Sequence, residues 1–275
     1  MLSLSWASKV FLVITVCVFP QPVLAEWISA EGKFAFTKDV TKGECFGEAV
    51  LAAKRSAMSK FGLEVLASLT SDFCVEAGSK TNCELHQQTL NYFDGGYIAE
   101  VRNLVERREG SGPNELCLAT LEADVRKYST KPDPAFLLSA EITGGRRKFH
   151  GDEFSIKGEA LKGSFIYVFG YYPTTDGDKY FLLAPNDFDE EIVSGADGFF
   201  QVPSHQSKGK YSFEALFPDD IKKDEITEYL IILALKEKLP MLKKVSSEEH
   251  HRNLHRIGRQ NWKQSRVGYS ILKKE

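Results

Sequence analysis

Apolar residues recur at helical spacing at Phe46, Ala49, Val50, Ala53, Ala57 and Phe61, forming one stripe. Thr41 and Glu44 stand before it at capping-box spacing, and Gly62 follows as a stop. A short strand is predicted ahead of this helix, over 32–40. Behind it Val65, Ala67, Leu69 and Phe73 alternate as a strand would, and 80–92 reads as a looser helix. After the turn Asp94-Gly95-Gly96, a strand is expected with Tyr97, Ala99, Val101 and Val105 on one face. Glu100, Arg102, Glu106 and Arg108 take its other face. A turn over 110–113 leads to a last strand whose inward face is Cys117, Ala119, Leu121, Ala123 and Val125. Strands with one apolar face suit an antiparallel sheet covered on one side, and the helix stripe is the natural cover.

The pattern changes after 128–135, Tyr-Ser-Thr-Lys-Pro-Asp-Pro-Ala, where two prolines two apart block regular structure. Strands are then predicted over 136–142, 153–160, 165–172, 179–184, 210–217 and 226–236, punctuated by Gly151, Gly163, Gly177, Gly195 and Gly209. The segment 165–172, Phe-Ile-Tyr-Val-Phe-Gly-Tyr-Tyr, is apolar on both faces and reads as a central strand. Ser246-Ser247-Glu248-Glu249 opens a short helix with His250, Leu254 and Ile257 on one side, and 262–272 closes the sheet. The expected fold is α+β: an antiparallel sheet covered by a helix over 26–128, a linker over 129–135, and a mainly β, sandwich-like domain with a short C-terminal helix over 136–275.

The first 25 residues have the form of a secretory signal. Lys9 is their only charge, 10–19 is apolar, Pro20 and Pro22 follow, and Val23-Leu24-Ala25 fits the cleavage pattern. Val16 before Cys17 is too large for a lipoprotein processing site. Ten apolar residues fall short of the roughly 20 that a membrane span needs. Cleavage after Ala25 leaves four cysteines, Cys45, Cys74, Cys83 and Cys117. An even count in an exported chain favours disulfides over zinc, for which the C-x₂₋₄-C pairs are missing. Cys74 and Cys83 flank a short loop, which suggests their pairing and, by elimination, Cys45 with Cys117.

The net charge of −3 excludes a bulk-basic nucleic-acid coat. It is unevenly placed: from Lys236 onward the chain carries eleven Lys/Arg against four Asp/Glu. Such a segment could orient the protein on an anionic surface or an acidic partner. His251 and His255, four apart, would share a helix face as zinc-binding histidines do, yet Arg252-Asn253-Leu254 between them holds no general base. Asp187, Asp189, Glu190 and Glu191 lack calcium-loop spacing and read as a solvated loop. Ser204-His205 is adjacency, not a triad, and there is no G-x-S-x-G elbow or phosphate-binding glycine loop. Gly144-Gly145 before Arg146-Arg147-Lys148 reads as a charged hairpin turn. No catalytic residue, metal or cofactor is expected.

The stretch 151–203 resembles the bacterial domain-of-unknown-function family 4384. The resemblance lies in Gly151-Asp152, the aromatic strand 165–172, Asp176-Gly177, and Leu182-Leu183-Ala184-Pro185-Asn186. Physically, Pro185 and Asn186 are turn formers. The Ala30-x-Gly32 opening, the Ala-rich helix and the two strands after Gly95-Gly96 more loosely resemble the N-terminal unit of flagellar assembly protein T and small envelope lipoproteins. These resemblances imply a bacterial envelope protein without an assigned catalytic mechanism. The expected function is therefore a non-catalytic periplasmic or secreted interaction module that binds another envelope component and no nucleic acid. A glycan- or lipid-binding module using Tyr167, Tyr171, Tyr172, Tyr180 and Trp262 is the alternative. A hydrolase built on the acidic cluster and His205 comes third, and it needs Asp187 or Asp189 within reach of a second catalytic group.

Overall fold

The computed structural model describes residues 26–37, 40, 42–62, 71–77, 80–86, 95–112, 115–172, 179–219, 221, 223–241 and 243–274, with the backbone alone at 71–77 and 80–86. The leader, Thr41 of the expected cap and the alternating stretch 63–70 lie outside these residues. In the first half the elements are β1 (Glu26–Ala35), α1 (Lys42–Lys60), β2 (Ser71–Ala77), β3 (Lys80–His86), β4 (Gly96–Glu109) and β5 (Leu116–Lys127). Then come β6 (Leu138–Ile142), β7 (Arg147–Phe149), β8 (Glu153–Phe154), β9 (Ile156–Ala160), β10 (Phe165–Tyr171) and β11 (Lys179–Ala184). The chain continues through β12 (Phe199–Val202), β13 (Phe213–Glu214), β14 (Glu225–Leu235), β15 (Lys244–Ser246), α2 (Ser247–Arg256) and β16 (Trp262–Leu272). Strands dominate and the helices are few, so the fold is α+β and mainly β.

The N-terminal strands form an antiparallel sheet in the order β1-β5-β4, with α1 packed across it. The expected stripe and strand face meet: Ala53, Ala57 and Met58 pack against Ala30, Leu121, Ala123 and Val125. Small residues set the spacing. A β-carbon at Gly32 would overlap the Ala49 carbonyl and the Ala53 amide, so the helix sits almost on the strand backbone. At the other end Cys45 and Cys117, both fully buried beside Phe46, Ala49 and Ala119, are joined by a disulfide.

Three expectations fail in this half. The first strand runs over Glu26–Ala35 rather than 32–40, paired with β5 along its whole length. The segment 80–86 is a strand, paired antiparallel with β2 so that Cys74 lies opposite Cys83; residues 87–92 lie outside the description. Lys80-Thr-Asn-Cys-Glu-Leu-His has little intrinsic periodicity, and pairing with β2 decides its state. On β4, bulges fall between Ile98 and Glu100 and between Arg102 and Val105. They shift the alternation, so Ile98 and Val101 join the helix-side core while Val105 is exposed.

In the C-terminal half a six-stranded sheet runs β15-β11-β10-β14-β16-β7, faced by a three-stranded sheet β12-β9-β6 and the pair β13-β8. The chain positions alternate cleanly. Ile226, Leu230, Ile232 and Ala234 of β14 join Ile166, Val168, Ile156, Phe200 and Val202 in the core shared by the two sheets. Tyr229, Ile231, Leu233 and Leu235 face the other way, with Tyr167, Phe169 and Tyr171, under Leu254 of α2 and Trp262. The central strands are thus buried on both faces, as the apolar run at 165–172 predicts. Burying each such large side chain stabilises by about 1.5–3 kcal/mol.

The expected strand over 153–160 breaks at Ser155 into β8 and β9, which pair with different partners. That over 210–217 shrinks to β13. The short β7, β12 and β15 carry too few residues to show a period. Arg147 and Lys148 lie in β7, parallel to β16, rather than in a hairpin turn. Lys148 is buried, donating to the Thr143 carbonyl at 2.6 Å.

Candidate interaction surface

β4 is an edge strand, and its two ends differ. Near its start, α2 covers it: Arg252 Nη2 donates to the Ala99 carbonyl at 2.6 Å. Beyond the second bulge, where Asn103 adopts φ 53°, β4 runs out exposed from Arg102 to Glu109. Asparagine tolerates this left-handed conformation better than most residues. Leu104 is 46% and Val105 56% exposed. Charged residues brace the arm across its faces. Arg102 Nε pairs with Glu122 at 2.6 Å and its guanidinium lies 3.7 Å from the Trp27 ring centroid. Arg108 pairs with Glu115 at 2.8 Å and lies over Phe36. The edge itself presents unpaired backbone groups among the described residues, a template for another extended chain.

The acidic cluster of the sequence separates into different roles. Asp189 is buried and accepts from the Ser204 amide at 2.9 Å, the Ser204 hydroxyl at 2.5 Å and Tyr211 Oη at 2.7 Å. Burial pushes its carboxyl up, but the donors from Ser204, Ser207 and Tyr211 outweigh this and hold it below the usual carboxylate range. It pins the loop that the sequence assigns to a strand over 210–217, and it is not solvated as predicted. Asp187 and Glu190 are exposed, and Glu191 pairs with Lys238 at 2.6 Å. His205 is exposed. Pro185 follows a cis peptide bond, and Asn186 Oδ1 accepts from the Phe188 and Asp189 amides, as a turn-forming pair would.

The aromatic candidates are packed rather than aligned along a groove. Tyr167, Tyr171, Tyr180 and Trp262 are all buried. Tyr167 Oη donates to the Leu239 carbonyl and accepts from its amide, while Tyr171 meets Tyr180 edge-on. Tyr172 is half-buried and stacks on Phe181. This packing removes the reason to read these rings as ligand platforms.

Of the histidines of α2, His250 is buried and His251 and His255 are half-buried. Ser246 caps the helix, its Oγ accepting from the Glu249 amide at 3.1 Å. His250 is buried with its ring 5.0 Å from those of Phe169 and Tyr180, and Nε2 is 3.3 Å from Gln264 Oε1. His251 Nδ1 is 3.3 Å from Tyr128 Oη, and His255 lies 5.0 Å from the Tyr97 ring. His251 and His255 thus pack among tyrosine rings, both against Tyr128 and His255 also against Tyr97. Burial lowers all three; His250 is pushed down to about 4.

One polar pair was hidden in the sequence. Glu228, in β14, accepts from Tyr269 Oη at 2.7 Å. Burial pushes its carboxyl up to about 7, against the opposing hydrogen bond from Tyr269. A charge directly before the unbroken apolar run 229–235 is the signal that marks it.

The chain matches no model of a known protein family, and a search of curated proteins found no relative.

Proposed function

We propose that this is an exported, non-catalytic protein of the bacterial periplasm that binds another envelope protein, taking an extended segment of that partner along the outer half of β4. The observation that carries the reading is the edge from Arg102 to Glu109, open among the described residues, with Leu104 and Val105 exposed beside it. The buried Cys45–Cys117 bridge supports a compartment outside the reducing cytosol. The helices of the described residues are too short or too polar to cross a membrane, which fits a protein held there by contacts. The packing of the aromatic rings and the saturation of Asp189 argue against the ligand-binding and hydrolase readings.

A photo-crosslinking residue at Val105, compared with one at exposed Lys162 in the other half, tests this in whole cells. A discrete adduct from position 105 alone is expected, and the partner so identified should slow hydrogen exchange over 102–109. Equal labelling from both positions, or a partner that leaves those amides unprotected, overturns the edge as the contact. Turnover of a glycan, peptide or phosphoester, lost on replacing one acid or histidine, overturns the non-catalytic reading.

A further inference from the structure

Helix α2 lies between the two halves of the molecule. One side rests on the six-stranded sheet through Leu254 and His250. The other meets the N-terminal half. Arg252 reaches the Ala99 carbonyl, Glu248 pairs with Lys54 of α1 at 2.6 Å, and the His255 ring packs on Tyr97. Tyr128, on the connecting segment, stacks on Tyr97 at 5.3 Å and meets His251. Just beyond the helix, the Arg259 amide donates to Thr130 Oγ1 at 2.7 Å. His251 and His255 therefore face this seam, and His250 sits on the sheet side of the same helix.

The charges around them are mostly positive. His250 faces Gln264, Tyr180, His251 and Arg266. His251 faces Tyr128, His250, Arg266 and Arg259, and His255 faces Tyr97, Tyr128 and Arg126. The helix itself adds Arg252 and Arg256, with Glu249 in its first turn. Among the described residues, Asp124 and Glu248 bring carboxylates to the seam, and each is already held by a cation. Asp124 is bidentate with Arg126, at 2.6 Å in its shortest contact, and Glu248 is bound to Lys54. A proton added to buried His250, and to a lesser degree to half-buried His251 and His255, thus creates a poorly solvated cation among other cations.

We propose that α2 is an acid-released latch: protonation of His250, His251 and His255 frees the N-terminal sheet and α1 from the six-stranded sheet. The sign follows from linkage. A histidine that binds its proton more weakly folded than unfolded contributes stability that is complete above about pH 6.5 and is lost as pH falls toward its folded value. For His250, held at about 4 by its packing on Phe169 and Tyr180, an opening that lifts α2 off the six-stranded sheet becomes roughly 30-fold more favourable between pH 7.5 and pH 5. This inference does not depend on the β4 contact. It concerns contacts within the chain and stands if no partner binds that edge.

Hydrogen exchange of the full mature chain, corrected for the intrinsic pH dependence of exchange, tests it. From pH 7.5 to pH 5, the amides of 97–101 and 247–256 are expected to open at least tenfold more, while those of β9 and β12 keep their protection. In the triple variant His250→Gln, His251→Gln, His255→Gln that selective rise should vanish. Should the triple variant not fold, each single variant should reduce the rise on its own. No rise in the wild type, a rise spread evenly over the whole chain, or a rise undiminished in the variants overturns the latch.

Discussion

Removing the Cys45–Cys117 bridge probes both the architecture and the compartment. The bond spans a sequence separation of 72 residues, from the first turn of α1 to β5. Opening a loop of that size returns conformational freedom to the unfolded chain, worth about 4 kcal/mol by loop-closure entropy. Native-state relaxation and residual denatured structure reduce such figures, so a measured loss of about 2–4 kcal/mol is expected. Both sulfurs are fully buried between helix and sheet, so the loss should appear as a destabilised N-terminal half. The perturbation is Cys45→Ala with Cys117→Ala, compared with oxidised wild type by urea unfolding followed by circular dichroism. Reduced wild type separates the covalent term from the small cavities that the alanines leave. A difference under about 0.5 kcal/mol between oxidised and reduced protein would refute the argument. Non-reducing peptide mapping of protein from the envelope fraction completes the experiment. It should return a Cys45–Cys117 peptide, and also a Cys74–Cys83 peptide, because β2 and β3 place those residues directly opposite one another. Cross-strand Cα separations of roughly 4.5–5.5 Å fall within the range that disulfides bridge.

Two further substitutions test the packing and the buried carboxyl. Gly32→Ala should cost about 2–4 kcal/mol, because its β-carbon would displace α1, whereas Gly47→Ala, in open space on the same helix, should gain about 0.5–1 kcal/mol; paired urea titrations read both. Glu228 has a folded proton affinity above its unfolded one, so its contribution is complete below about pH 4.5 and is lost as pH rises through about 7. Glu228→Gln keeps an acceptor for Tyr269 and should raise stability at pH 8 by up to about 3 kcal/mol while flattening the profile between pH 4.5 and 7. An unchanged pH profile in thermal melts would show that the carboxyl is solvated.

Much of the sheet scaffold is legible in the residues themselves. The strands over 179–184 and 262–272 have the boundaries their patterns predict, and Ser246 caps the helix its spacing announces. Those segments combine strong alternation or apolar runs with clear stops, so local preference and tertiary context agree. Where they diverge, context decides. The segment 80–86 becomes a strand because β2 lies beside it, and the β4 alternation is reset by two bulges that a simple period cannot encode. Asp189 was indistinguishable from Asp187 and Glu190 in sequence, since the donors that bury it, Ser204 and Tyr211, lie 15 and 22 residues further on.

The basic C-terminal segment shows why a charge count is a weak guide to a contact surface. Read as a string, 236–275 offers a strong positive patch to a partner. Folded, several of its cations are engaged by partners within the chain, most of them at the surface. Lys236 pairs with Asp133 at 2.7 Å, Lys238 with Glu191, and Lys244 lies over the Phe181 ring. Arg252 caps the Ala99 carbonyl, and Arg259, itself buried, lies 4.0 Å from the Trp262 ring centroid and donates to the Trp262 carbonyl. An ammonium or guanidinium held in this way has little field left for a ligand. Replacing Arg252 or Arg259 should therefore loosen the seam before it weakens any external contact. The proposed partner surface therefore falls on β4, where Arg102 and Arg108 are matched by Glu122 and Glu115 across the sheet faces while the strand's outer edge is open among the described residues. Recognition there would come from backbone pairing and the apolar Leu104-Val105 step, and so should depend only weakly on salt.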